Sequence, residues 1–324
     1  MKPALSVVLL TTLIGVGQGM FLALFAGQTY AFFHGIKGDH SFYVNGSLVV
    51  MGFMAVGLIA SIFHLGRPER GWMSARQWRT SWLSREVIVL PLFMGMTTLY
   101  GLAHYFNWTE SFTYLWQILP VDLTAVIGGI GILVSLLLFL CTGMIYASVR
   151  FFPEWATPLT VINYTLMGTA SGFTLCAVHS QYTQPDFTPF FAYWAAALTA
   201  LALVMRLASL MRNSRLRQKI GLQQAIGIRH PDLRQNTRGF MAGSFNIKEF
   251  FHGHSPLFLK GAKRFFLLSG FLVPILLLVL GGFSGNESYL RLAFPLQMVG
   301  LMVERWFFFA QANHVQNLYY QAIA

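Results

Sequence analysis

The chain has 324 residues, of which 55% are hydrophobic and only 10% charged, where an ordinary soluble domain carries about 25% charged residues. So few charges cannot cover so much apolar surface in water, and a soluble globular fold is excluded along with domain counting by length. The formal net charge is +11, but the apolar runs hold almost none of the basic residues, so the charge reads as a topology signal and not as a nucleic-acid footprint.

A membrane-crossing helix needs about 20 mostly apolar residues. Such runs fall at 5–33, 43–64, 85–106, 122–149, 158–179, 189–210, 265–283 and 291–313. They are apolar all round and lack period-two alternation, which argues against a β-barrel. The sequence therefore predicts an all-α integral membrane protein, a single membrane domain over 1–324 built as an eight-transmembrane-helix bundle. The first run is too long for a signal peptide and reads as a retained helix. Gly-rich stretches such as IGVGQG and IGGIGI suit close helix contacts, because lipid offers no hydrophobic force to hold helices together.

The connections alternate in charge. The segment 65–84 holds four arginines and one glutamate, and 211–264 holds eleven Lys or Arg against Asp232 and Glu249. On the other side, 34–42 holds only Lys37 as Lys or Arg, and 107–121, 180–188 and 284–290 hold none. The positive-inside rule puts the basic set, and with it both termini, in the cytoplasm. The expected location is a bacterial inner membrane. Trp72, Trp78, Trp82, Trp108, Trp116 and Trp155 fall near predicted helix ends, where indole rings favour the headgroup layer. The loop 211–264 is far longer than an ordinary connection. Its mix of basic residues, aromatics and glycines reads as a docking surface for a cytoplasmic partner, with a lipid-headgroup site as the other reading.

The chemistry concentrates at the cytoplasmic boundary. His64 ends the second run and Glu86 opens the third, and Arg67, Arg70, Arg76, Arg79 and Arg85 stand between or beside them. Ionisable groups at the edge of hydrocarbon are costly unless partnered or used. Quinone reduction would use them: it needs hydrogen-bond donors, a proton route and charge stabilisation. A histidine donates and passes protons near neutral pH, a carboxylate relays the next proton, and guanidiniums stabilise a developing oxyanion. Each group also has a plainer reading. His64 suits a helix C-terminus, Glu86 a first turn, and the arginines set topology. Within the spans, Gln18 and the Glu304–Arg305 pair are further candidates; adjacent residues do not share a helical face, so Glu304 and Arg305 are expected to have separate partners.

Cofactor ligands are not expected. Cys141 and Cys176 lie far apart inside apolar runs, which gives no ligand set for an iron–sulfur cluster or a structural zinc, and both read as small core residues. The histidines sit at the ends of the spans (His34, His104 and His179 outside, His64 and His314 inside), so no mid-membrane pair for haem is expected.

The stretches FHLGRPERGW and RTSWLSREV resemble the dimethyl sulfoxide reductase anchor-subunit (DmsC-like) family. That resemblance implies an eight-helix quinone-interacting membrane subunit partnered by an iron–sulfur electron-transfer subunit and a molybdopterin catalytic subunit. SWLSREV, the stretch IGIRHPDLRQNTRGFMAGSFNIKEFFHG and the ending ERWFFFAQANHVQNLYY are similar to the branch of cytoplasmic sulfite dehydrogenase (SoeC-type) membrane subunits. By resemblance His64 and Glu86 are the quinone-site residues, with Gln18 and Arg305 as weaker carry-overs; from their place beside these residues, Arg67, Arg79 and Arg85 are further expected contacts of the ubiquinone or menaquinone. Other functions remain open at this point: a quinol-oxidising anchor, a purely structural anchor, or a transporter, although no internal repeat of the kind common in transporters is evident.

Overall fold

The computed structural model describes residues 1–36, 38–63, 66–115, 119–216, 221–234, 236, 250–314 and 317. Lys37, His64, Trp116 and all of 237–249 therefore lie outside the described residues. Among the described residues, eight helices are long and apolar enough to cross a membrane. They are α1 (Leu5–His34), α2 (His40–Ile62), α3 (Trp82–Tyr105) and α4 (Leu123–Ala147). They continue with α5 (Pro158–Thr183), α6 (Thr188–Ser214), α7 (Pro256–Ser284) and α8 (Glu287–Ala310).

Local chemistry sets where most of them begin. Asp39, Ser81, Asp122, Thr157, Ser255 and Asn286 each accept a hydrogen bond from a backbone N–H of the following first turn. Such caps satisfy donors that the helix itself leaves open. Pro158 and Pro256 stand at the first helical position, where the missing N–H costs nothing.

Two helix starts and one connection differ from the sequence reading. Helix α3 begins at Trp82, so Glu86 lies in its second turn. Helix α7 begins at Pro256, so Lys260, Lys263 and Arg264 belong to a helix and not to the long loop; it passes through a π-helical turn at Leu268–Leu272. In the connection 107–121, Thr113–Leu115 and Leu119–Val121 pair as a small antiparallel hairpin, a minor addition to an otherwise helical fold. The first basic connection holds a 3-10 segment, Pro68–Gln77. Along it and just beyond, Arg76 stacks on Trp72, Arg79 on Trp78 and Arg85 on Trp82, with guanidinium-to-ring distances of 5.2, 5.4 and 4.2 Å.

Helices α1 and α5 lie at the centre of the bundle. Helix α1 packs against α2, α4, α5 and α8, and its buried face runs almost unbroken from Ile14 to Phe21. Its closest neighbour is α5. A Cβ built on Gly172 would lie 2.0 Å from the carbonyl carbon of Gly19, and one on Gly19 would lie 2.1 Å from the carbonyl oxygen of Gly168. The two backbones therefore touch, as small-residue seams in membrane helices allow. At one end of the bundle, Val8 of α1, Phe152 and Trp155 of the 148–157 connection, and Phe308 and Phe309 of α8 form one apolar cluster. There the Trp155 indole N–H donates to the carbonyl of Phe308 at 3.0 Å. The start of α1 and the end of α8 thus share the end that carries the basic connections, hereafter the basic end.

The seam makes a stability prediction. Gly172→Ala forces α1 and α5 apart and should cost about 1–3 kcal/mol, as overpacking of a filled core does. Gly52→Ala, where the added carbon meets nothing within 4 Å, should be neutral. Thermal unfolding of the purified protein in detergent compares the two, and equal behaviour would refute the seam.

Candidate functional site

One cavity at the basic end gathers three of the residues singled out from the sequence. Its wall includes Gln18 of α1, Glu86 of α3, Thr142 of α4, Tyr164 of α5 and Arg305 of α8, together with apolar groups such as Leu10, Phe139, Met167 and Leu301. Gln18 lies on the glycine-rich face of α1, and Gly15 and Gly168 from the α1–α5 seam complete the floor. Leu10, Thr11 and Glu86 are partly exposed, so the cavity reaches the bundle surface. It measures about 20 Å³ to a water-sized sphere, room for one or two waters; a ring-sized ligand requires it to widen.

The hydroxyl of Thr142 donates to a carboxylate oxygen of Glu86 at 2.5 Å. Glu86 therefore does not serve the first turn of its own helix, which holds no acidic residue; its side chain reaches across to α4. The Gln18 side-chain amide donates to the carbonyl of Ser135 at 3.4 Å, longer than a good hydrogen bond, and so keeps donor capacity toward the cavity.

Arg305 enters from α8 and is held on several sides. Its guanidinium lies 3.7 Å from the centre of the Tyr164 ring. Its Nη2 lies 3.5 Å from Met167 Sδ. Its Nε lies 3.0 Å from Glu304 Oε2. The other Glu304 oxygen is 2.7 Å from Nε of Arg206 on α6. The expectation that Glu304 and Arg305 have separate partners is therefore corrected. A carboxylate has two oxygens, and Glu304 gives one to each guanidinium even though neighbouring positions point apart on the helix. All three groups are buried, with side chains at most 5% exposed. Two guanidiniums against one carboxylate leave this triad one positive charge in excess, and Glu86 is the further carboxylate on the cavity wall. Arg305 Nη1 has no hydrogen-bond partner among the described residues. A second polar pair ties α6 to α8 two turns away, where the Gln297 amide donates to Thr199 Oγ1 at 3.1 Å.

The other sequence candidates lie elsewhere. Arg67 and Arg79 are exposed. Arg85 donates to the backbone carbonyls of Trp78 and Arg79 at 2.9 and 2.8 Å, so it braces the 3-10 segment and is absent from the cavity wall. His64 is outside the described residues. Arg206, Tyr164 and Thr142 escaped the sequence reading. Arg206 carried a signal, a charge inside the apolar run VMRLASL, where an ionisable group marks a site by default. Thr142 and Tyr164 carried none, since only packing brings them to Glu86 and Arg305. Among the described residues no group of three metal-ligating side chains occurs.

Glu304→Gln would leave two buried guanidiniums without a counter-charge, and removing one partner of a buried pair typically costs about 3–5 kcal/mol. Thermal unfolding should register that loss, and the double variant Arg206→Met/Glu304→Gln should lose less than Glu304→Gln alone. Additive losses would mean that the two residues are not coupled.

The DMSO reductase anchor subunit (DmsC) family model matches residues 1–310. A sulfite dehydrogenase subunit of Allochromatium vinosum is 49% identical over 325 residues, covering 100% of both chains. With its eight apolar helices and a match across nearly its whole length, the chain is a multi-pass membrane protein that belongs to the DMSO reductase anchor subunit (DmsC) family.

Proposed function

We propose that this protein is the membrane anchor and quinone-reducing subunit of a molybdoenzyme complex that oxidises sulfite in the cytoplasm. In this reading a partner iron–sulfur subunit docks at the basic end and delivers electrons, and a molybdopterin subunit beyond it carries the sulfite chemistry. The convergence of Gln18, Glu86 and Arg305 on one cavity at the basic end carries the proposal. Full-length similarity to a sulfite dehydrogenase subunit supports the choice of sulfite. The basic connections support the cytoplasmic placement through the positive-inside rule.

The substrate is a quinone of the membrane pool, which takes up two electrons and two protons. The residues divide the work by chemistry. The Gln18 amide and Nη1 of Arg305, unpartnered among the described residues, are donors suited to carbonyl oxygens, and the guanidinium favours negative charge as it develops there. Glu86 is placed to hold and transfer a proton, with Thr142 fixing the orientation of its carboxyl group. Tyr164 and Met167 keep the guanidinium of Arg305 in place. His64, outside the described residues, enters as a second proton donor on sequence grounds alone. The same groups would serve quinol oxidation in reverse, so the direction belongs to the catalytic subunit.

The test is sulfite-driven quinone reduction by the whole complex carrying Glu86→Gln. We expect electron transfer from sulfite to an artificial dye to persist while quinone reduction falls by about 10²–10⁴-fold, the usual contribution of general acid–base catalysis. His64→Ala, assembled with equal subunit stoichiometry, should show the same separation. Unchanged quinone reduction in Glu86→Gln would move the site away from this cavity, and a wild-type complex that ignores sulfite would overturn the substrate.

A further inference from the structure

The end of the bundle opposite the Glu86 cavity holds a second set of buried polar groups, and no step of the proposed reaction uses it. His104, near the end of α3, is 2% exposed. Neither of its ring nitrogens has a hydrogen-bond partner among the described residues. A neutral imidazole carries one donor and one acceptor, and buried polar atoms are almost always satisfied by protein or by water.

Its neighbours explain why no side chain answers it. Tyr43 of α2 stacks on the imidazole face, with ring centres 4.3 Å apart. Tyr100, one turn earlier on α3, meets it edge to face at 4.6 Å. The Tyr100 hydroxyl is committed elsewhere and donates to Gln28 Oε1 at 2.8 Å. The Gln28 amide in turn donates to Thr124 Oγ1 at 2.6 Å, and Thr124 donates to Asp122 at 2.7 Å. These bonds run outward to Asp122, and none of them reaches His104. The remaining ionisable neighbour is His40 of α2, its ring centre 6.1 Å away; His40 is partly exposed, and its Nδ1 also lacks a partner among the described residues.

The same face continues inward. Ser47 of α2 packs against Gly101, where a Cβ would lie 2.9 Å from that of Ser47. Thr97 lies one turn further along α3. Both are at most 4% exposed, and both hydroxyls lack a partner among the described residues. The polar face then stops at Phe21 and Phe93, both fully buried and in edge contact at 5.3 Å. Thr97 is about 16 Å along α3 from Glu86 at 1.5 Å rise per residue, with this aromatic layer between.

We propose that His104 is a proton-exchange site served by the aqueous phase at the end opposite the Glu86 cavity, with His40 at its mouth and with Ser47 and Thr97 extending it inward to Phe21 and Phe93. The exchanging partner is water or hydronium, since only a small mobile donor and acceptor satisfies two imidazole nitrogens held between two tyrosine rings. An ionisable side chain inside a membrane helix faces a water-accessible or functional interior by default. The two ends of the bundle then draw protons from separate sources, divided by the Phe21–Phe93 contact.

Two measurements on the intact complex test this. The first is hydrogen–deuterium exchange at the imidazole C2 position, read by peptide mass spectrometry across a pH series. His104 should exchange measurably, with the exposed His34 as the control; retention of its hydrogen while His34 exchanges would make it a dry core residue and end the proposal. The second is Ser47→Cys in sealed, oriented vesicles treated with a small membrane-impermeant thiol reagent, with the parent carrying Cys141 and Cys176 as background. Labelling should occur only from the side of the 107–121 connection, where exposed Phe112→Cys serves as the positive control. Labelling from the Glu86 side alone, or none while the control reacts, would overturn it. If Ser47→Cys does not assemble, His40→Cys gives the same reading at the mouth.

Discussion

The contact between α1 and α5 is the constraint from which the basic end follows. Gly19 and Gly172 bring the two backbones together because neither has a Cβ to hold them apart. In a bilayer no hydrophobic force pulls helices together, so such close packing supplies the attraction itself. With α1 pinned to α5, side chains beside the seam, Gln18 on α1 and Tyr164 and Met167 on α5, face the same space. Helices α3, α4 and α8 then close the remaining sides with Glu86, Thr142 and Arg305. The cavity lies alongside the glycine seam, between its small residues and the larger side chains around it.

Charge inside the bundle is confined by the same logic. Arg206, Glu304 and Arg305 are tolerated in an apolar interior only because Glu304 reaches both guanidiniums and because Tyr164 lies under one of them. The arrangement joins α6 and α8 through charge, and it holds Arg305 against Tyr164, Met167 and Glu304. A flexible lysine could not be clamped by a ring, a thioether and a carboxylate at once, because a guanidinium offers a flat face and a fixed set of donors. Toward the middle of the bundle the polar groups give way to aromatic rings. Phe21 fills the space beside Gly131, and Phe25 fills that beside Gly128. The outcome is two polar regions with an aromatic layer between them, in which large rings on α1 pair with glycines on α4.

Much of this was legible in the sequence. Eight apolar runs, their approximate bounds and the asymmetry of the connections follow from hydropathy and Lys/Arg counts, because a bilayer leaves helices few alternatives. The family was legible in two short stretches around the second connection. Glu86 and Arg305 were legible as charges that hydrocarbon would not tolerate idly, and Gln18 as a polar side chain in a glycine-rich helix. Some boundaries slipped where local chemistry overrode hydropathy: Ser255 and Pro256 start α7 well before its apolar run, and Ser81 starts α3 four residues ahead of Arg85.

What the sequence determined alone is which segments enter the membrane, since transfer free energy is summed along each segment regardless of its neighbours. What only the tertiary structure decided is which polar residues meet. Glu86 meets Thr142 across 56 positions, and Glu304 meets Arg206 from a helix nearly 100 residues away. The arginines nearest Glu86 in sequence turned instead to tryptophan rings and backbone carbonyls along the 3-10 segment. Side chains pair by the rotation and depth of packed helices, and a single helix's sequence sets neither relative to its neighbours.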